Sequence, residues 1–187
     1  MWRTVMMLVA IVAGSVATVT GAAEKPAGGW EAYRSEKGKY SVRLPAKPTE
    51  EDSSVVLTQH PEKKLPDGQV TFRVDVLELT ADSPVKGPTP AKTLDNLRDA
   101  LATRVWEGAV QKEREVKLGD HPGREFIVLR KQIGSGGITI TGYDLQYVAR
   151  AYVVKDRVYV VWRMCSQSKD TAPGDAQKFL DSFELTK

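Results

Sequence analysis

The sequence predicts an α+β fold: a largely antiparallel β-sheet of about six to seven strands flanked by two main helices. Three observations carry this. Short β-rich runs are separated by Gly, Pro and Asp turns, the pattern of hairpins. Two segments, beginning near Pro90 and Pro173, repeat apolar residues at intervals of three and four, the pattern of helices with one buried stripe. The long run Ile138 to Val154 meets Val158 to Gln167 across the two-residue turn Lys155-Asp156, as a meander does.

Ahead of these elements, Met1 to Ala23 holds one charge, Arg3, then an apolar run from Val5 to Ala13 and the small-residue exit Gly21, Ala22, Ala23. That is the layout of a secretory signal peptide cleaved after Ala23 or Ala22. An uncleaved anchor is the rival reading, since the uncharged stretch approaches the roughly 20 residues of a membrane span, although Gly14, Thr18, Thr20 and Gly21 dilute it. No Cys lies near the junction to carry a lipid. Residues 24–29 read as a polar tether and 30–187 as one domain, exported to the periplasm or the medium.

The 187 residues carry a formal net charge of +3, and loss of Arg3 with the leader leaves +2. Such a balance, with interspersed signs, argues against nucleic acid or an anionic membrane surface as partner. Cys165 is the only cysteine, so no internal disulfide supports the exported chain and stability must come from packing.

Trp30 to Arg34 and Tyr40 to Leu44 read as strands around a turn at Lys37-Gly38, with Pro45 and Pro48 ending the second. Ser54 to Gln59 and Gln69 to Leu79 form a hairpin with a long connection containing Pro61, Pro66 and Asp67-Gly68. Pro84, Gly87, Pro88 and Pro90 mark a linker into the first helix. Thr89 is its cap, Pro90 its first residue, and Leu94, Leu97, Leu101 and Val105 its apolar stripe, ended by Gly108. Arg98 falls inside that stripe, either laying its stem over the core edge or facing a ligand.

A strand from about Val110 to Leu118 leads through a turn at His121-Pro122-Gly123 into Arg124 to Ile133, and Gly134 to Gly137 joins this to the next strand. A loop there places Phe126 opposite Leu145 and Val128 opposite Tyr143. The Lys155-Asp156 turn places Ala149 opposite Trp162 and Ala151 opposite Val160. Asp170 or Thr171 caps a last helix that holds Pro173 in its first turn and docks through Ala176, Phe179, Leu180 and Phe183.

The opposite face of the meander collects Arg150, Tyr152, Tyr159 and Arg163 with Glu125, Asp144 and Gln146. Two arginines on diagonal cross-strand positions disfavour one another, so something must offset them. Either Asp181, Glu184 or Glu125 neutralises them beneath a covering helix, or the face stays partly open and the Arg/Tyr set contacts an anionic group on a partner. These four residues are the candidate partner-binding site, because Arg and Tyr concentrate interface energy.

The order of elements, with Trp30, Gly38-Lys39-Tyr40-Ser41-Val42 into Leu44-Pro45, Pro122-Gly123-Arg124-Glu125-Phe126, Arg150-Ala151-Tyr152, Arg157-Val158-Tyr159 and Phe179-Leu180-Asp181-Ser182-Phe183, resembles the PsbP-like superfamily. The likeness is greatest to its exported bacterial members of undefined role and spans the mature chain. It implies an antiparallel sheet flanked by helices and a non-enzymatic accessory or binding role, as in an extrinsic photosystem subunit and a nuclear-transport GTPase-binding factor. No partner-binding signature of either is present.

No reactive constellation stands out. Gly134-Ser135-Gly136 lacks the G-x-S-x-G spacing of a nucleophile elbow, and neither a helix nor Lys-Ser/Thr follows to make it a phosphate loop. Cys165 sits in a strand beside Trp162 and Met164 as a packing thiol. His60 and His121 lie apart without metal-ligand spacing, so no metal or cofactor is expected. No carboxylate pair is singled out for acid–base work. The expected function is an exported non-catalytic binding or accessory module that contacts an unknown protein or anionic ligand. The alternative is an exported hydrolase with a site assembled from scattered residues.

Overall fold

The computed structural model describes residues 29–51, 54–59, 70–130, 145–166 and 173–187. The leader, His60, the 134–137 loop, Asp144 and the cap at Asp170 or Thr171 lie outside the described residues.

Alternation of apolar and polar residues builds two antiparallel sheets. The larger has seven strands in the order β3 (Thr49–Glu51), β4 (Ser54–Gln59), β5 (Val70–Glu78), β9 (Arg157–Ser166), β8 (Leu145–Val154), β7 (His121–Arg130) and β6 (Ala109–Leu118). The smaller is β1 (Glu31–Ser35), β2 (Tyr40–Leu44) and β10 (Glu184–Leu185), with β2 in the middle. The α+β class with a seven-stranded antiparallel sheet and two main helices is therefore the observed one. The N-terminal hairpin, however, belongs to a second sheet completed by a strand from the C-terminus. Hairpin chemistry is local, but the sheet a hairpin joins is fixed by contacts distant in sequence.

Because side chains alternate across a strand, the large sheet serves two cores. One face offers Phe72, Val74, Tyr152, Tyr159 and Val161 to Tyr40, Val42 and Leu44 of β2 and to Phe179, Leu180 and Phe183 at α2 (Pro173–Asp181). The other offers Phe126, Val128, Ala149, Ala151, Val158 and Val160 to Leu94, Leu97, Ala102 and Trp106 at α1 (Pro90–Ala100). A fully buried Leu or Phe contributes about 1.5–3 kcal/mol. Docking of α2 is therefore dominated by Phe179, Leu180 and Phe183 rather than by any ion pair at its rim.

Helix α1 starts as its sequence requires: the Thr89 hydroxyl accepts from the Lys92 amide at 3.2 Å, and Pro90 fills the first position. Its end departs from the expected stripe. Residues Leu101–Val105 form a π-helical turn in which the Trp106 amide donates to Leu101 O at 2.8 Å. The extra residue per turn rotates the register by one. Ala102 and Trp106 become buried, while Leu101 is only half-buried and Val105 is exposed. The large indole fills the space over Phe126, Tyr147 and Trp162, with ring centroids 5.9, 4.7 and 5.6 Å away.

Two further expectations are corrected. The β6–β7 turn is Gly119-Asp120 rather than His121-Pro122-Gly123: Gly119 adopts φ 58°, and His121 already pairs with Leu118. Pro122 is tolerated in the strand because the β7–β8 ladder begins only at Gly123 opposite Tyr152. A Cβ on Gly123 would collide with the Tyr152 ring, so this position needs glycine for close approach. In the β7–β8 pair, Phe126 faces Ala149 and Val128 faces Tyr147, four residues from the expected partners. Four is an even shift, so every side chain keeps its face. The Ala149–Trp162 and Ala151–Val160 pairs stand as read from the Lys155-Asp156 turn.

Candidate functional site

Strand alternation gathers Arg150, Tyr152, Tyr159 and Arg163 on the face of β8 and β9 that lies under α2 and the small sheet. All four are buried, Arg163 to 2% and Arg150 to 8% exposure, so of the two readings of this face the structure has the covered one and not the partly open one. The physical reason is the apolar cover, since Phe183 stacks on Tyr152 at 5.9 Å and Tyr40 packs edge-on to Tyr159 at 6.3 Å. The Tyr159 hydroxyl donates to Gly38 O at 3.0 Å and ties the two sheets together. Arg163 lies over the Phe72 ring and donates to Cys165 Sγ at 3.4 Å, which places the buried thiol in a packing role.

Arg150 is neutralised from two sides. Its Nε donates to Glu125 Oε2 at 2.6 Å and one terminal nitrogen donates to Asp181 Oδ1 at 2.7 Å. Glu125 also receives two bonds from Arg114 of β6, at 2.7 and 2.9 Å, and Gln177 adds a bond to Asp181. Alternating charges thus run Arg114, Glu125, Arg150, Asp181, from the outer strand to the last helix. Burial by itself would raise the Glu125 carboxyl, but the Arg114 and Arg150 hydrogen bonds outweigh it and hold the group below its ordinary range. Asp181 is lowered in the same sense, with burial outweighed by bonds from Gln177 and Arg150. Burial pushes the Tyr152 phenol up, against the opposing pull of Arg150.

The other singled-out residues do not converge on this seam. Arg98, whose side chain is largely covered, directs its guanidinium to carboxylates: one terminal nitrogen meets both oxygens of Glu113 at 2.7 and 2.6 Å, and the guanidinium also pairs with Asp99. Arg124 joins the same cluster through Asp95 at 2.7 Å and Glu113 at 3.1 Å. His121 lies in β7 away from any assembled ligand set, and no group of three or more His, Cys, Asp or Glu that could hold a metal occurs among the described residues. Among those residues no helix is long and apolar enough to cross a membrane.

The strand expected from about Val110 to Leu118 is β6, but its place as the sheet's charged edge is visible only in the structure. This ten-residue strand ends the large sheet, and Ala109 through Glu115 are all exposed. Its charge was legible as Lys112-Glu113-Arg114-Glu115, where charge at consecutive positions denies the strand a wholly apolar face.

No protein-family model and no curated protein matches the chain. Solved structures do. The chain is similar to the Ran-binding protein Mog1p of Saccharomyces cerevisiae, with 13% identity, 85% of this chain and 96% of that one covered, and a TM-score of 0.53. Cyanobacterial PsbP (CyanoP) of Synechocystis sp. PCC 6803 aligns with 11% identity over 83% of this chain and 92% of its own, at TM-score 0.52. LpqN, involved in cell envelope biogenesis of Mycobacterium tuberculosis, aligns with 14% identity over 84% and 79%, at TM-score 0.51. The likeness establishes the fold, which is PsbP-like.

Proposed function

We propose that this PsbP-like chain is an exported, non-catalytic binding or accessory module that works at the cell envelope. One observation supports it above others: the fold is shared with a Ran-binding protein, a PsbP protein and a protein of envelope biogenesis. Fold alone does not carry function between chains, and the polar clusters supply the second support. The described arginine–carboxylate groups bind one another across elements, Arg150 to Glu125 and Asp181, Arg98 and Arg124 to Glu113 and Asp95. Groups held this way maintain the fold and offer no poised nucleophile–base pair.

The test is export followed by capture. The exported protein is sequenced from its N-terminus and, carrying a C-terminal tag, is cross-linked in its native envelope or medium before purification. A start near Glu24 and a stoichiometric partner are the expected results. An intact Met1 would overturn the cleaved-leader reading. Turnover of ester, peptide or glycoside substrates by the purified protein would overturn the non-catalytic one.

A further inference from the structure

We infer that the outer edge of β6 is a docking edge for an acidic extended segment of a partner protein, which would add an eighth strand to the large sheet. This rests on the binding reading above and names its surface. Strand β6 closes the sheet, and among the described residues nothing pairs with its outer side. The tight Gly119-Asp120 turn makes Leu118 and His121 the hydrogen-bonded closing pair. Alternation along an antiparallel ladder then turns the amides and carbonyls of Lys117, Glu115 and Glu113 outward. Main-chain groups so arranged are what strand addition uses for affinity.

Side chains set the partner's chemistry. Edge strands usually resist pairing through unneutralised charge and bulges, and β6 does have a register shift between Val110 and Lys112. From Lys112 to Leu118, however, the ladder is regular, and much of the charge is already drawn inward. Glu113 is held by Arg98 and Arg124, and Arg114, itself largely exposed, is anchored by Glu125, whereas Glu115 stays exposed beside Arg124 and calls for an uncharged residue opposite it. Lys112 and Lys117 enter no ion pair among the described residues, and they project from opposite faces because they are five positions apart. An antiparallel strand with carboxylates opposite Lys117, Arg114 and Lys112 and uncharged residues opposite Glu113 and Glu115 would set its charges against cations, and the half-buried Val116 leaves only part of its side chain for an apolar contact.

The probe is the peptide Thr-Glu-Val-Thr-Glu-Thr-Glu-Thr, titrated into isotope-labelled mature protein and followed by amide shifts and hydrogen exchange. Expected are slowed exchange at the Glu113, Glu115 and Lys117 amides and binding that weakens with salt. The same peptide with Lys for Glu should bind about tenfold or more weakly, reflecting lost charge complementarity. Glu115→Pro removes an outward amide without touching the β6–β7 ladder and should abolish binding. Should that variant fail to fold, Lys112→Glu with Lys117→Glu should reverse the preference between the two peptides. Equal affinity for both peptides, protection elsewhere, or a concentration-dependent dimer that covers these amides would overturn the proposal. The assay needs no native partner, so its failure sinks the edge alone and leaves the binding function to its capture experiment.

Discussion

Glu125 joins three strands, receiving hydrogen bonds from Arg114 of β6 and Arg150 of β8 while sitting in β7. Its carboxyl and that of Asp181 are both lowered in the folded state. The unfolded chain therefore binds more protons over the interval between the two values, and stability falls as pH drops through it. The loss should begin at about pH 4.5, near the ordinary carboxylate values, and be complete below the depressed ones. Chemical denaturation at stepped pH should show it. Glu125→Gln should reduce stability at neutral pH by leaving Arg150 half-paired, and should flatten the acid slope. A slope parallel to wild type would show that Glu125 is not the titrating link.

At the scale of elements, the π turn after α1 decides which residue fills the aromatic pocket. A regular helix would bury Val105; the extra residue buries Trp106 against Tyr147 instead, with the rings stacked at 12°. Val105→Ala should change the melting midpoint little, whereas Trp106→Ala should cost about 3–5 kcal/mol. Equal effects would restore the uninterrupted helix. Helix α2 makes the complementary case. Phe179 is fully buried and meets Phe72 edge-on at 5.2 Å, so Phe179→Ala should cost about 3–5 kcal/mol. The Arg150–Asp181 pair joins a buried guanidinium to a half-exposed carboxylate, and Arg150 keeps its bond to Glu125 when Asp181 loses its charge, so no buried cation is left unpaired. Asp181→Asn should therefore be mild by comparison, and a larger loss than that of Phe179→Ala would reverse this ranking.

For the whole molecule, the two cores share one sheet. Strands β8 and β9 supply Tyr152, Tyr159 and Val161 to one face and Ala149, Ala151, Val158 and Val160 to the other. Neither core can be lost while the other keeps its floor, so unfolding should be cooperative. Trp30 reports on the α2 face and Trp106 on the α1 face. Variants retaining one or the other tryptophan, with Phe at the remaining positions, should give denaturation midpoints that coincide with their own circular dichroism. Separate fluorescence and backbone transitions within a variant would show that the cores melt independently.

By itself the sequence determined the features that depend on near neighbours: the Thr89-Pro90 helix start, the Lys155-Asp156 turn with its Ala149–Trp162 register, and the burial of Ala176, Phe179, Leu180 and Phe183. It also held the carboxylates, Glu125 and Asp181, that neutralise Arg150. Tertiary structure decided the rest. The β7–β8 register shifted by four because period-two alternation fits every even offset equally well. The π turn arose because the Trp106 indole has a pocket made by β7, β8 and β9, none of which is local to α1. The Arg150, Tyr152, Tyr159 and Arg163 face became a buried seam because β2 and α2 close over it from opposite ends of the chain. A strand's alternation names its two faces, but only the packing of distant segments decides which of them water reaches.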